Sequence, residues 1–301
     1  MGFACDATLR DNTDRNQMKH IALLILVSAV LLPAQPRRTD GSRGLSSAPR
    51  QTANFQSAAP RPKSALVDPF DRVFADVLAG GGWETLMTFV NMSNAPARFT
   101  LTFYDDNGNP VNVPLTNPDG SVSRFAAVNF SMDGNTSQEL VVANVDSSVN
   151  FAWAYLSFPG NTAPIAGMAV VRTYDSSGNI FNETTEALSN IQDYDFFAPY
   201  DNLQGVATGL IVLNPGASLT ATVQISAQDA NGNELVRDKF LLAPGARATI
   251  MLPGAYQALA GTSGKLRVTG DTNRLSAIVF RISPASNMAY SPIFNWSGMF
   301  Q

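Results

Sequence analysis

The chain has 301 residues, enough for two ordinary domains that each bury a core of their own. A hydrophobic fraction of 45% excludes a wholly disordered chain. The net charge of −4 gives no basis for binding nucleic acid.

Residues 1–17 are polar and acidic and read as a gene-model extension, with translation expected to start at Met18. Lys19 and His20 then form a short polar region, Ile21 to Leu32 an unbroken apolar run, and Pro33 and Ala34 precede Gln35. This layout predicts a secretory signal peptide over residues 18–34, with an apolar run too short to span a bilayer comfortably. The mature protein is expected to be secreted, periplasmic or at the cell surface, with no stable membrane anchor after cleavage. Cys5 and His20, the sole cysteine and histidine, both precede the cut. The mature chain is then expected to hold no disulfide, no Cys/His zinc site and no thiol- or histidine-dependent triad. No cofactor or metal is expected.

Residues 35–69 are rich in Pro, Ser, Ala and Arg and read as a flexible linker. Its basic cluster, which includes Arg37, Arg38, Arg50 and Arg61, reads as solvated rather than phosphate-binding.

Apolar alternation starts near Phe70. In Phe99–Tyr104, Phe99, Leu101 and Phe103 share one face; Asn107-Gly108 then suggests a type I′ turn, and Val111–Leu115 a return strand. Further strands are expected at Val122–Met132, Glu139–Ala143, Asn150–Phe158, Ile165–Tyr174 and Ile180–Ala187. The pattern then repeats. Thr85–Asn91 (TLMTFVN) matches Thr208–Asn214 (TGLIVLN) at a shift of 208 − 85 = 123. Asp105–Asn109 (DDNGN) matches Asp229–Asn233 (DANGN) at 229 − 105 = 124. A spacing this long indicates duplicated domains rather than a solenoid. The second copy predicts strands at Glu234–Leu242, Arg247–Leu252, Lys265–Thr269, Leu275–Ile282 and Met288–Phe294, and one helical turn at Ala255–Ala260.

Many short strands separated by turn signals predict an all-β fold of two tandem antiparallel, immunoglobulin-like β-sandwiches, over residues 70–190 and 193–301. Gly80-Gly81-Gly82-Trp83-Glu84-Thr85 and Phe103–Pro110, with Val212–Gly216 and Leu242–Ala246, resemble uncharacterised secreted bacterial proteins with duplicated β-sandwich domains. The resemblance covers roughly Phe70–Phe294 and implies fold; it transfers no catalytic residue.

Three chemistries have candidate residues in the chain. The Asp105 and Asp229 segments cluster oxygen ligands, but an EF-hand would need Glu at the twelfth position, where Thr116 and Phe240 stand. Hairpin turns account for both. A carboxylate-dependent hydrolase has residues enough, yet no Gly-x-Ser-x-Gly and no repeated acidic pair supports one. The third concerns Phe151, Trp153 and Tyr155, which share one strand face opposite Ala152, Ala154 and Leu156. In the second copy Lys265 and Arg267 align with Trp153 and Tyr155. These aromatics are the candidate ligand-binding or interdomain face. Trp83, aligned with Val206, reads as core. The expected role is non-catalytic surface interaction or extracellular scaffolding, with an extracellular protein or glycan as partner. The alternatives are a glycan-binding module using exposed aromatics, and the hydrolase.

Overall fold

The structure is a computed structural model that describes residues 55–61, 71–158, 165–190, 193–216, 218–272 and 274–295. The gene-model extension and signal peptide expected from the sequence lie outside the described residues. The first copy contains β1 (Phe55–Ser57), β2 (Arg72–Ala79), β3 (Trp83–Asn91), β4 (Ala97–Tyr104), β5 (Val113–Thr116) and β6 (Val122–Phe125). It continues with β7 (Ala127–Met132), β8 (Ser137–Val142), β9 (Asn150–Ser157), β10 (Ile165–Tyr174), β11 (Ile180–Ala187) and β12 (Ser189–Asn190). The second copy contains β13 (Asp195–Asp201), β14 (Ala207–Leu213), β15 (Ala221–Asp229), β16 (Glu234–Leu242) and β17 (Arg247–Met251). After a helical turn at Leu252–Ala255 and a 3₁₀ turn at Gln257–Leu259 come β18 (Ser263–Gly270), β19 (Ser276–Ile282), β20 (Met288–Ser291) and β21 (Phe294–Asn295). The helical turn expected at Ala255–Ala260 thus begins earlier and is split at Tyr256.

Four open antiparallel sheets result. Sheet I has the order β1-β7-β4-β9-β2-β12 and sheet II β11-β10-β3-β8-β5-β6. Sheet III is β16-β15-β18-β13-β21 and sheet IV β17-β14-β19-β20. Leaving out β1, β5, β6, β12 and β21 exposes the duplication. Four strands, β7-β4-β9-β2, face β11-β10-β3-β8, just as β16-β15-β18-β13 face β20-β19-β14-β17. Sheets I and II enclose one core, with Phe74, Phe89, Phe99, Leu101, Phe130 and Leu140 at its centre. Sheets III and IV enclose a second, around Leu210, Val212, Val223, Ile225 and Val268. The alternation of β4 is the reason it can do this: Phe99, Leu101 and Phe103 all point into the core and are at most 1% exposed.

The polar residues of the repeat are staples. Thr85 Oγ1 donates to Leu78 O (2.8 Å) and accepts from Leu78 N (3.0 Å); Thr208 Oγ1 does the same with Asp201 (2.8 and 2.9 Å). At the other strand end, Asn91 Nδ2 donates to the carbonyls of Ala95 (2.8 Å) and Asp133 (3.0 Å). Asn214 Nδ2 donates to those of Leu219 (2.8 Å) and Leu242 (3.0 Å). Each buried side chain satisfies backbone groups that the turn leaves without a ladder partner.

Several expectations need correction. Positive φ in the hairpin falls on Gly108 (+72°) but not on Asn107, so the turn is not type I′. Gly108 N donates to Asp105 O (3.0 Å) and Asp105 N to Asn109 O (2.9 Å), a three-residue loop whose last residue is the left-handed glycine. The mirror-type turn occurs instead at Gly81-Gly82 (φ +57° and +91°), closed by the reciprocal bonds of Gly80 and Trp83 at 2.9 Å. The return strand does not follow β4: after the Tyr104–Pro110 bridge the chain crosses to sheet II as β5, and β7 becomes the partner of β4. The single strand expected at Val122–Met132 breaks at Ala126, where the chain returns to sheet I. Part of the expected linker also belongs to the fold. β1 pairs with β7, and Phe55 packs on Phe125 and Phe130 at 5.8 and 6.1 Å between ring centroids.

Candidate functional site: the interface between the two copies

Because side chains alternate along a strand, a β9 that buries Ala152, Ala154 and Leu156 in the first core must present Phe151, Trp153 and Tyr155 on the outer face of sheet I. That face is covered. Trp153 and Tyr155 are 2% and 3% exposed and Phe151 is half-buried. They join a third apolar cluster with Val73 and Tyr104 from sheet I and Ile211, Leu213, Ile278 and Phe280 from the outer face of sheet IV. Trp83 is half-buried against this cluster, not in the first core.

The rings are held specifically. Tyr104 stacks on Trp153 at 4.5 Å with planes 22° apart, and Tyr155 meets Trp153 edge-on at 6.3 Å. Trp153 Nε1 donates to Asp105 O at 3.1 Å. The Tyr155 hydroxyl donates to the buried Asp71, which also pairs with Arg61 at 2.7 Å. Arg61 lies 4.8 Å over the Tyr155 ring, and its carbonyl accepts from the Tyr104 hydroxyl at 3.1 Å. Arg61 is therefore not a solvated member of a basic cluster but a lid on these aromatics. Burial pushes the Tyr104 hydroxyl up to about 12 and raises that of Tyr155 further.

Beside the rings lies a polar knot that no periodicity announced. Strand β2 changes register against β9 between Phe74 and Val77, leaving Ala75 and Asp76 as a bulge. Glu186 of β11, 3% exposed, accepts from the freed N–H groups of Ala75 (2.5 Å) and Asp76 (3.1 Å). Arg247, first residue of β17 in the second copy, enters from the other side. Its Nη1 donates to Ala75 O (3.1 Å), Asp76 Oδ1 (3.0 Å) and Ala152 O (2.9 Å), and its Nε to Asp106 Oδ1 (2.8 Å). The Tyr290 hydroxyl donates to Asp76 Oδ2 at 2.8 Å. Burial raises the Asp76 carboxyl despite the Arg247 charge, and pushes Glu186 up to about 8. Burial alone would lower Arg247, but the charges of Asp76 and Asp106 and the hydrogen bond to Asp106 together outweigh it, and the net direction is upward. Backbone contacts complete the seam: Arg247 N donates to Asp106 O (2.9 Å), and Tyr290 N to Thr184 Oγ1 (2.8 Å).

Asp76 and Glu186 are adjacent acids of the kind a hydrolase needs, but their oxygens are taken up by Arg247, Tyr290 and backbone N–H groups. The calcium-like segments spend their carboxylates in the same way. Asp105 Oδ1 accepts from Asn107 N and Asn109 N (2.9 and 2.8 Å), and Asp229 Oδ1 from Asn231 N and Asn233 N (2.9 Å each). A third such turn, Asp175–Asn179, has the same bonds at 2.9 and 2.8 Å. Its D-x-x-G-N spelling, shared with the other two turns, is the sequence signal for it. No group of three metal-ligating acids, histidines or cysteines occurs among the described residues. Nor is any described helix long and apolar enough to cross a membrane.

No family model and no curated protein matches the chain. Among solved structures, a biofilm associated protein B domain aligns over 82% of this chain and 86% of that one, at 9% identity. The TM-score of 0.21 is too low for that likeness to carry an argument.

Proposed function

We propose that the protein is a secreted, non-catalytic tandem β-sandwich that serves as a stiff extracellular scaffold or surface-interaction module. The observation that carries this reading is the third cluster. Aromatics that an isolated sandwich would leave as an exposed patch are consumed in fastening one copy to the next, together with a buried arginine. A continuous apolar seam with buried hydrogen bonds makes the two sandwiches one lever rather than two beads on a string. Of the titratable groups at the seam, Arg247 bonds across it to Asp76 and Asp106 and Tyr290 to Asp76, while Glu186, Asp71 and Arg61 brace the first copy's side of it.

A second reading has one observation behind it. Phe197 and Phe294 pair across β13 and β21 on sheet III, Phe294 is 50% exposed, and Lys265 and Arg267 flank the Phe197 ring at 5.8 and 5.2 Å. Aromatics so placed suit stacking on a sugar ring. A glycan array and a panel of ester, amide and glycoside substrates test both. The scaffold reading expects no turnover and no saturable glycan binding. Turnover overturns it, and glycan binding abolished by Phe197→Ala with Phe294→Ala replaces it with the lectin reading.

A further inference from the structure

The contact between the copies is heterologous: two different faces meet, the outer face of sheet I and the outer face of sheet IV. Each copy owns one face of each kind. Two are used inside the chain, and two remain: the outer face of sheet III, equivalent to that of sheet I, and the outer face of sheet II, equivalent to that of sheet IV. The equivalence is residue by residue. Lys265 and Arg267 stand where Trp153 and Tyr155 stand in the first copy, each flanked by core residues of the same strand. Thr88 lies opposite Met168 as Ile211 lies opposite Ile278, and Leu86 opposite Val170 as Gly209 opposite Phe280.

The two remaining faces are opposite in charge. Outward positions of sheet III carry Arg237, Lys239, Lys265 and Arg267 against Glu234 and Asp195, 4 − 2 = +2. Those of sheet II carry Arg172 against Glu84, Glu139 and Glu183, 1 − 3 = −2. The pairs Asp201–Arg281 and Arg124–Asp146 at the margins add nothing to either sum. Amid the acidic face Val90 and Met168 stay open, 37% and 43% exposed.

We propose that the outer face of sheet III docks on the outer face of sheet II of a second copy, head to tail, repeating between chains the arrangement that already holds within one. This names a partner for the interaction role proposed above and rests on it. A heterologous contact of this kind extends into open filaments unless its rotation closes a ring. The contact is also weaker than its internal counterpart for stated reasons. Lysine and arginine replace the aromatic pair, and Ser137 stands opposite Val90 where Arg247 stands opposite Leu213. Assembly should therefore be reversible and sensitive to salt.

Sedimentation velocity of the mature chain over a concentration series tests this. Low salt should give an open series of species. At about 1 M salt, where the screening length falls to about 3 Å, association should weaken by at least about tenfold. Lys239→Glu with Lys265→Glu should block one face and Val90→Lys with Met168→Lys the other, leaving each double variant monomeric. Mixed in equal amounts, the two should form a heterodimer that grows no further, because one intact face remains on each. Unchanged circular dichroism and melting verify that these exposed substitutions leave the fold intact, with Thr185→Lys available as a second block on sheet II. A wild-type chain that stays monomeric overturns self-assembly, while the scaffold reading is judged separately by the array and substrate panel. Assembly that persists in either double variant alone means a face pairs with itself, and overturns the head-to-tail arrangement.

Discussion

Arg247 is 5% exposed, and a guanidinium so placed stays charged only where anions and carbonyls replace its water. Asp76, Asp106 and the carbonyls of Ala75 and Ala152 do so, all from the opposite copy. Arg247→Ala strands Asp76 and should cost about 3–5 kcal/mol in urea unfolding of the whole chain. Arg247→Met with Asp76→Asn, which removes both charges, should recover a substantial part. Glu186 adds a pH dependence. Its carboxyl titrates at about 8 when folded against an ordinary value of 4.5. Below about pH 4.5 both states are protonated and its contribution is fully present; as pH rises toward about 8 only the unfolded chain gains a hydrated carboxylate, so stability falls. The rise at Asp76 acts in the same direction. Urea midpoints should therefore decline from about pH 5 to about pH 8, and Glu186→Gln should flatten that slope.

At the scale of elements, one turn sequence serves two purposes. Asp105–Asn109 and Asp229–Asn233 share their internal bonds, and Gly108 and Gly232 both sit at positive φ, +72° and +88°. A Cβ on Gly232 would meet nothing within 4 Å, whereas one on Gly108 would lie 2.4 Å from Gly245 O of the second copy. Both glycines supply a left-handed residue, but only Gly108 also lets two backbones touch across the seam. Gly232→Ala should cost about 1–2 kcal/mol, the strain of the left-handed conformation. Gly108→Ala should cost more and loosen docking as well. Paired thermal melts of the two variants check this, and equal losses would show that the seam does not depend on the close approach.

Over the whole molecule, three apolar clusters follow one another from sheet II to sheet III, with the middle one drawn from both copies. Continuous burial predicts a single calorimetric transition for the wild-type chain. Trp153→Ala removes the largest ring of the middle cluster and should cost about 3–5 kcal/mol in the whole chain. It should also separate the melt into two transitions as the copies uncouple. Lys265→Ala, its counterpart on the exposed face of sheet III, should change stability by under about 0.5 kcal/mol. A single transition in Trp153→Ala would show that the polar knot around Arg247 holds the copies together without the rings.

Local chemistry determined a large part of this protein. Period-two alternation is written in adjacent residues, so the strands, the all-β class and the opposite faces of Ala152, Ala154, Leu156 and of Phe151, Trp153, Tyr155 could be read from the chain directly. The duplication was equally legible, because Thr85 and Thr208, Asn91 and Asn214 perform the same local stapling. Contacts made by residues far apart in sequence leave no such trace. That β5 crosses to sheet II depends on which edge of β8 lies open to receive it, not on Val111–Leu115 themselves. Arg61 resembled its neighbours in a basic, proline-rich stretch until Asp71 and Tyr155 surrounded it. The Asp76–Glu186–Arg247 knot joins residues up to 171 positions apart, and each looks like an ordinary surface charge in its own segment. Only tertiary packing decided that these charges would be buried, because the energy that fixes them comes from groups on other strands and the other copy.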